Sequence, residues 1–542
     1  MKKFLILIFT LFFIGPLNAS DFKTTQETVF KAMRDEMART MKSLKTKGMP
    51  RPYYATYKVK IQDFFAVNSF MGEEFFDALS KGDVSVSVTM RVGNEKTDSS
   101  FFENTVITTA GSQLPSLSYG SLRQALWLKS DQAYKQALDQ YTKKLAYLKK
   151  KEVKEENPDF SKAEISSDKP QLEFKPFDKD YIISLAEEMS AQGNVKELKR
   201  FYTRIFVSHE PTFYLSSEGA EYIKDESNIT IYLSAQADTP EGFPLNAYRV
   251  MVYKDMSELP SKEELIKTAK DLSLEMQKAV NSPKGEAYIG PVLLEEEAAA
   301  TLFDRVFAKN AQKTKKVLSL NRDTDYDMGD FARKKGLRIM PSDFNVTDDP
   351  QIESFNGRKL MGAYKVDDEG VAPKKLQIVK NGKLTDLPAT RSSGETNGHA
   401  RLGFFEEKLF AQASVSNLFF LPQRTFSKKE LKEELMKTCR KENLDYCYII
   451  RRFDGSNIMA YKVDAKTGEE TLTYGLEMPS LSTRTLRDII AAGDDLNVFN
   501  FASNTEPYYS IISPSVILSE MELKESQVEN KKPPKLKKPP LN

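Results

Sequence analysis

The side chains used most often for catalysis and metal binding are scarce in this chain. His209 and His399 are its two histidines, and Cys439 and Cys447 are its two cysteines. The sequence has no glycine-rich phosphate loop, no Gly-x-Ser-x-Gly turn, no Cys-x-x-Cys pair and no His-Glu-x-x-His helix. Catalysis or zinc binding based on histidine and cysteine therefore has few residues available.

One acidic stretch partly resembles a calcium-binding loop. Asp323, Asp325 and Asp327 have the spacing of its first three ligands. The turn glycine, Gly329, comes one position late, and Lys334 stands where the loop needs a bidentate acid. We therefore interpret this stretch as a solvated acidic turn.

The two cysteines are eight positions apart and leave two alternatives open. They could close a small disulfide in an oxidising compartment, or they could be two buried thiols. Two cysteines are too few for a disulfide-based scaffold.

A helix is predicted over residues 24–47. Thr24 and Glu27 have the spacing of a capping box, and apolar side chains recur at helical spacing through the segment. Gly48 follows and ends the helix.

The patterns that follow predict an N-terminal α+β unit over residues 20–148. Residues 55–61 and 84–92 alternate apolar with polar side chains, which indicates two half-buried strands. A second long helix is predicted over residues 122–148, with Leu145 among the side chains on its inner face.

The stretch 149–180 is rich in lysine and glutamate and is predicted to be a solvated linker. A middle α+β unit is predicted over residues 181–284. It contains a helical pattern at 181–191, an alternating pattern at 228–237 and a second helical pattern at 260–280.

Residues 285–526 are predicted to form a β-rich C-terminal domain, a mainly antiparallel sheet or barrel. The dipeptide Asn381-Gly382 between two apolar runs predicts a hairpin. The segments 448–453, 458–463 and 471–474 predict a meander, with Asp454-Gly455 and Thr467-Gly468 at its turns. The whole chain is thus predicted to be α+β.

Both ends of the chain have a distinct composition. Lys2 and Lys3 precede an apolar run that ends before the small residues Ala19 and Ser20, which predicts a secretory signal cleaved after Ala19. The run is shorter than the roughly 20 residues of a membrane-spanning helix. Residues 527–542 combine lysine with proline and are predicted to be a disordered basic tail or, alternatively, a surface-binding arm.

Overall charge gives no support for nucleic-acid binding. Lys and Arg total 79 and Asp and Glu total 77, so the formal net charge is +2.

The mean hydropathy of −0.48 is typical of a water-soluble chain. We therefore expect a mature protein that is exported to the periplasm or beyond, without a membrane span.

Several segments together resemble the TldD/PmbA family, which is related to metallopeptidases. Residues 33–45 and 52–54 resemble the opening of its exported members. Further segments follow in the family's order: 217–219, 290–293, 366–370, 379–384, 396–400, 486–488 and 513–516. The resemblance implies a two-lobed fold and a dimer around an internal cavity, in which one type of subunit carries zinc and cuts unfolded peptides.

The resemblance also implies where the zinc ligands would be. The metal-bearing subunit uses His-Glu-x-x-x-His on a helix and a cysteine near its C-terminus. Aligned on the preceding leucines, this chain has Glu295 and Ala300 at the histidine positions and Glu296 at the acid, and no cysteine follows Cys447. The chain thus resembles the PmbA-type subunit, which lacks the metal motif, and the apolar spacing after Glu295 is typical of packing.

These comparisons lead to one favoured function and two alternatives. We expect a metal-free subunit that binds unfolded or extended peptides, as a homodimer or as partner of a metal-bearing relative, with zinc present only if a partner or an atypical site supplies it. His399, in a segment that looks like one in PmbA-like subunits, either shapes the backbone or contacts a peptide in the cavity, or it is an ordinary hydrogen-bonded loop histidine. The alternatives are a peptidase with metal on Glu295, Glu296, Asp367 and Asp368, and an envelope scaffold that uses the basic tail.

Overall fold

The structure is a computed structural model. It describes residues 19–103, 108–109, 113–114, 117–152, 157–172, 177–320, 329–402, 411–453, 457–502 and 507–528. The predicted signal run before Ala19, the acidic turn at Asp323 to Asp327, the turn at Asp454-Gly455 and the basic tail from residue 529 lie outside these ranges.

Six α-helices lie in the described ranges. They are α1 Ala19–Ser43, α2 Tyr119–Lys151, α3 Lys179–Ala191, α4 Lys262–Val280, α5 Glu296–Leu302 and α6 Lys428–Lys441. Capping boxes fix the starts of α4 and α6, at Ser261 with Glu264 and at Ser427 with Glu430. None of the helices described is long and apolar enough to span a membrane.

The first half of the chain forms one seven-stranded antiparallel sheet. Its strands are β1 Pro52–Phe70, β2 Glu73–Val92, β3 Thr108–Thr109, β4 Gln113–Leu114, β5 Leu198–Ser216, β6 Glu221–Asp238 and β7 Pro244–Tyr253. The order is β3-β2-β1-β5-β6-β7, with β4 also pairing with β2. The predicted N-terminal and middle units therefore contribute to the same sheet. Gly219, in the turn between β5 and β6, has φ +98°.

Helices cover one face of this sheet. Val59, Val86 and Phe213 pack with the apolar faces of α1 and α2, whereas Ile205 and Ile231 pack with α3 and α4. The period-2 pattern of the strands places all these side chains on the same face. The predicted inner faces of α1 and α2 are confirmed except at Leu145, which is 42% exposed. Its neighbour Lys144 is buried instead and donates to Asp159 at 2.6 Å.

The second half of the chain contains two six-stranded sheets and two short ladders. Its strands are β8 Tyr288–Leu294, β9 Phe344–Asp348, β10 Ser354–Phe355, β11 Arg358–Lys359, β12 Leu376–Lys380, β13 Lys383–Leu384, β14 Ala400–Arg401, β15 Gln412–Ala413, β16 Asn417–Pro422, β17 Tyr446–Ile450, β18 Asn457–Asp464, β19 Glu470–Glu477, β20 Ile489–Ala492, β21 Asn497–Phe501, β22 Tyr509–Ser513 and β23 Val516–Leu523. The orders are β19-β18-β17-β8-β23-β20 and β13-β12-β9-β16-β22-β21. Most neighbours are antiparallel, but β8 pairs with β17, and β16 with β22, in parallel.

The C-terminal predictions are largely confirmed. Asn381 and Gly382 turn between β12 and β13 with φ 49° and 74°, as a type I′ hairpin requires. Strands β17, β18 and β19 form the predicted meander. The α+β class is confirmed, and none of the sheets built by the described residues closes into a barrel.

The predicted linker is partly buried. Asp159 and Phe160 are 0% and 1% exposed, so the prediction of a solvated segment is wrong at these positions. Phe160 lies between two guanidinium groups, with Arg91 at 4.0 Å and Arg391 at 3.7 Å from its ring centre. Phe160 thus contacts both halves of the chain, although the lysines and glutamates around it in the sequence are typical of a solvated segment.

Arg391 connects three segments at this junction. Its two terminal nitrogens donate to Glu218 at 2.6 and 2.9 Å, and its Nε donates to the carbonyl of Ser161 at 2.7 Å. Its side chain is 1% exposed. The guanidinium therefore joins the C-terminal half to the β5–β6 turn and to the Phe160 segment.

We expect Arg391→Lys to lower the free energy of unfolding by on the order of 2 kcal/mol or more, because lysine can neither form the paired bonds nor stack on Phe160. Chemical denaturation measures this change. Arg34→Lys is the matched control, since Arg34 also pairs with a glutamate, Glu221, through two bonds of 2.6 and 2.7 Å but is 50% exposed. The control should cost less than about 1 kcal/mol, and equal losses in both variants would contradict the role of Arg391.

The other face of the sheet carries a buried acid, Glu210, which is 2% exposed. Lys60 lies 3.8 Å away and the Gln62 amide 3.4 Å away. Burial raises the pKa of Glu210 to about 8, an effect that Lys60 opposes and Glu226 reinforces. The folded chain therefore holds this proton more tightly than the unfolded chain does.

We expect stability to fall as pH rises from about 4.5, the ordinary pKa of a glutamate, to about 8, and Glu210 to contribute on the order of several kcal/mol to that fall. The amide in Glu210→Gln stays neutral, so the variant should match the natural chain near pH 4 and exceed it near pH 8. Melting temperatures of both across this range are the measurement. Parallel pH curves would contradict the assignment.

Candidate functional site

Glu295 lies at the end of two neighbouring parallel strands. Strand β8 is an almost continuous apolar run, as is typical of a strand buried on both faces, and it pairs with β17 so that Leu294 lies beside Ile450. The backbone N–H of Glu295 donates to the carbonyl of Ile450 at 2.9 Å. The residue after each strand, Glu295 and Arg451, therefore emerges at the same edge of the sheet.

The carboxylate of Glu295 is buried and engaged by cations. Its Oε2 accepts from Nε of Arg451 at 2.9 Å, and its Oε1 is 3.6 Å from Nζ of Lys428. The residue is 4% exposed. A buried carboxylate requires such partners, because loss of water otherwise disfavours its charge.

Arg451 is held by further contacts. Its Nη2 donates to Glu470 at 3.0 Å, and its guanidinium lies 4.1 Å from the centre of the Tyr461 ring. Glu470 in turn accepts from Lys432 at 2.7 Å. Burial acts to lower the pKa of Arg451, but the hydrogen bond and charge of Glu295 outweigh it and raise that pKa, so the guanidinium is a permanent charge.

The helix that follows is core, as predicted. Ala300 is 1% exposed, and Phe303 stacks on Phe420 with ring centres 3.9 Å apart. The α-helix continues as one π-helical turn, Phe303–Phe307. Glu296, the first residue of α5, is half-buried and has φ 49°.

The residues at the ligand positions that the resemblance implies do not fit zinc. Ala300 has no donor atom, and the Glu295 carboxylate is already held by Arg451 and Lys428. Zinc sites generally need three or four imidazole, thiolate or carboxylate ligands. Within the described ranges no three His, Cys, Asp or Glu side chains are grouped closely enough to hold a metal ion.

Asp367 and Asp368 have hydrogen-bond and ion-pair partners that differ from those of Glu295. Asp367 accepts backbone N–H groups of Glu369, Val371 and Ala400 at 3.0, 2.8 and 3.1 Å. Burial, with Glu369 nearby, raises the pKa of Asp367. Among the described residues, no hydrogen bond or ion pair joins this carboxylate to Glu295 or Glu296.

Asp368 is held across the junction of the two halves. It accepts from the backbone of Leu402 at 2.7 Å and lies 3.3 Å from Nζ of Lys224. Burial acts to raise its pKa, but Lys224 and Lys58 outweigh burial and lower it. The four carboxylates proposed for an atypical metal site are thus divided between two places, and three of them have structural partners.

His399 is fully buried beside a carboxylate. Its Nδ1 lies 3.1 Å from the carbonyl of Asn397, and its Nε2 lies 3.5 Å from Oδ2 of Asp348. Nε2 has no hydrogen-bond partner within the described part of the chain. At 0% exposure, this histidine is not on a surface that a peptide contacts in the conformation described.

His209 lies on the helix-covered face of β5, where its Nε2 is 2.6 Å from Oδ1 of Asp225. Among the described residues, His209 and His399 share no hydrogen-bond or ion-pair partner. The residue that sequence reasoning missed is Arg451. A signal was present, since Arg451 and Arg452 directly follow the apolar run of β17, but it did not reveal that Glu295 is the partner.

The C-terminal half matches a known family. Residues 287–525 match the model described as the PmbA/TldA metallopeptidase C-terminal domain. A metalloprotease of Methanocaldococcus jannaschii is 25% identical over 249 residues, which are 45% of this chain and 50% of that protein. The match thus spans about half the length of the curated relative.

Three solved structures share the fold. A protein of Thermotoga maritima named as a modulator of a DNA gyrase has a TM-score of 0.61 at 14% identity, over 93% of this chain and 100% of that one. TldE from Thermococcus kodakarensis has a TM-score of 0.57 at 13% identity, over 92% and 100%. A protein of Bacteroides thetaiotaomicron named as a modulator of DNA gyrase has a TM-score of 0.56 at 12% identity, over 94% and 100%.

The predicted resemblance is therefore confirmed at the level of family. The matched domain contains β8, α5 and β17, the elements that carry Glu295, Ala300 and Arg451. Residues 287–525 therefore form a C-terminal domain of the TldD/PmbA family of metallopeptidase-related proteins.

Proposed function

We propose that this chain is an exported, metal-free member of its family that binds extended peptides and acts with a metal-bearing relative or as a homodimer. The observation that carries the proposal is the state of the ligand helix. Glu295 is ion-paired with Arg451, and Ala300 is a buried methyl group. Neither position offers the imidazole on which the family's peptidase chemistry depends.

The sheet has a surface suited to the apolar side chains of an unfolded peptide. On the face opposite the helices, Phe64 stacks with Phe206 and Tyr232 with Tyr248, each with ring centres 6.0 Å apart. Phe76 on the same face is 51% exposed. The four stacked rings are half-buried, and apolar groups left accessible on one face commonly mark a binding surface, which supports a peptide-binding role.

The alternative of a carboxylate metal site is less well supported. Asp367 accepts three backbone N–H groups, and Asp368 and Glu295 are each paired with lysine or arginine. Binding a metal at these residues would require breaking those contacts. The scaffold alternative depends on the tail, which lies outside the described residues.

The test of the proposal is elemental analysis of the chain purified without chelator, combined with a cleavage assay on an unfolded peptide. We expect less than one zinc per chain and no cleavage by the chain alone. Fluorescence anisotropy should nevertheless detect binding of the same peptide. One zinc per chain, with cleavage abolished by Glu296→Gln, would overturn the metal-free assignment.

Export receives support from the disulfide between Cys439 and Cys447, which joins the end of α6 to the start of β17. Both cysteines are fully buried. Disulfides persist in oxidising compartments and are rare in the cytosol. Of the two alternatives for the cysteines, a disulfide or two buried thiols, the structure has the disulfide.

We expect the double variant Cys439→Ser, Cys447→Ser to lose about 2–3 kcal/mol of unfolding free energy, because the bond closes a short loop in the unfolded chain. Denaturation with and without a reductant measures it. The reductant should destabilise the natural chain and leave the double variant unchanged. Thiols that react with an alkylating agent in unreduced protein from the native host would contradict both the bond and the export.

A further inference from the structure

We propose that the guanidinium of Arg451 takes the place of a bound metal ion: it bridges Glu295 and Glu470 as a divalent cation would, and so keeps metal ions away from the start of α5. The inference rests on the proposed metal-free function and adds the residue responsible. It concerns a contact between positions that are 156 residues apart in the chain.

The backbone fixes Arg451 at this place. Parallel pairing of β8 with β17 brings the ends of both strands to one edge, and the carbonyl of Arg451 accepts the N–H of Ala298 at 2.9 Å. The first turn of α5 is therefore bonded to the very residue whose side chain reaches Glu295. Ligand sites in sheets commonly lie at the carboxyl ends of parallel strands, which is where this guanidinium lies.

The side chain is fixed as firmly as the backbone. Nε donates to Glu295 at 2.9 Å, Nη2 donates to Glu470 at 3.0 Å, and the guanidinium lies over the Tyr461 ring. Two carboxylates that bind the same guanidinium have their oxygens close to one another. Without the guanidinium, they would repel each other and present oxygen ligands of the kind that Mn²⁺ and Ca²⁺ prefer.

Electrostatics then works against a second cation. Arg451 and Lys428 already contact Glu295, and Lys432 contacts Glu470. Repulsion between a dication and a guanidinium a few ångström away is sufficient to weaken binding by more than about tenfold, even at the dielectric of a protein surface. Arg451 is the one of these three cations that contacts both carboxylates, so removing its charge should create a metal site that the natural chain lacks.

The experiment is a calorimetric titration of Mn²⁺ into the purified chain and into Arg451→Gln. We expect the variant to bind at least about tenfold more tightly than the natural chain. Adding Glu295→Gln to the variant should abolish the gain. Arg451→Lys, which keeps the positive charge, should bind no better than the natural chain.

Arg452→Gln is the matched control, because Arg452 is the next residue and also has an ion pair, with Glu275 at 2.8 Å. It should show no gain. Circular dichroism and melting temperature establish that each variant is folded, and Arg451→Met replaces Arg451→Gln if the latter does not fold.

A folded, charge-free variant at position 451 that binds Mn²⁺ no better than the natural chain would overturn the inference, as would an equal gain in Arg452→Gln. Stoichiometric zinc in the natural chain would instead refute the proposed function. Metal binding by the natural chain thus tests the proposed function, and metal binding by the variants tests the inference about Arg451.

Discussion

A carboxylate that is removed from water must be held by a cation or by several N–H groups, and this constraint decides what the acidic residues of this chain can do. Glu295 meets it through Arg451 and Asp368 through Lys224 and a backbone N–H, whereas burial raises the pKa of Asp367, which accepts only backbone N–H groups. Each of these partners occupies lone pairs that a metal would need. Glu210 shows the other solution: with few partners in reach, its pKa rises to about 8 and the group stays largely protonated at neutral pH.

Local patterns were sufficient to locate most elements of the fold. The alternation around Val86, the capping box of α4 and the turn at Asn381-Gly382 depend on interactions between near neighbours, and these are encoded in short stretches of sequence. The pairing of β1 with β5 was not accessible in this way, because it joins residues separated by the whole of α2 and α3. For the same reason, residues 149–180, predicted to link two separate units, lie between strands that belong to one sheet.

The candidate site shows the same division. The sequence identified Glu295 and Ala300 as the positions to inspect, and the apolar spacing after them correctly indicated core. It gave no means of pairing Glu295 with Arg451, since the contact arises only when β8 and β17 lie side by side. Charged residues also led to a wrong prediction elsewhere. The composition around Phe160 is typical of a solvated segment, but the Phe160 ring packs against the guanidinium groups of Arg91 and Arg391.

Packing sets the position of α5 independently of which residues stand at positions 295 and 300. Phe303 and Val306 follow α5 directly and belong to the main core of the C-terminal half, and Phe303 stacks on Phe420 of β16. The position of α5 is therefore set by apolar contacts on its buried side and by the strand that precedes it. The residue at position 295 needs only a partner for its charge, and Arg451 supplies one from the neighbouring strand end. A fold held in this way tolerates different residues at that edge without losing its architecture, which is consistent with a shared fold at only 12–14% identity.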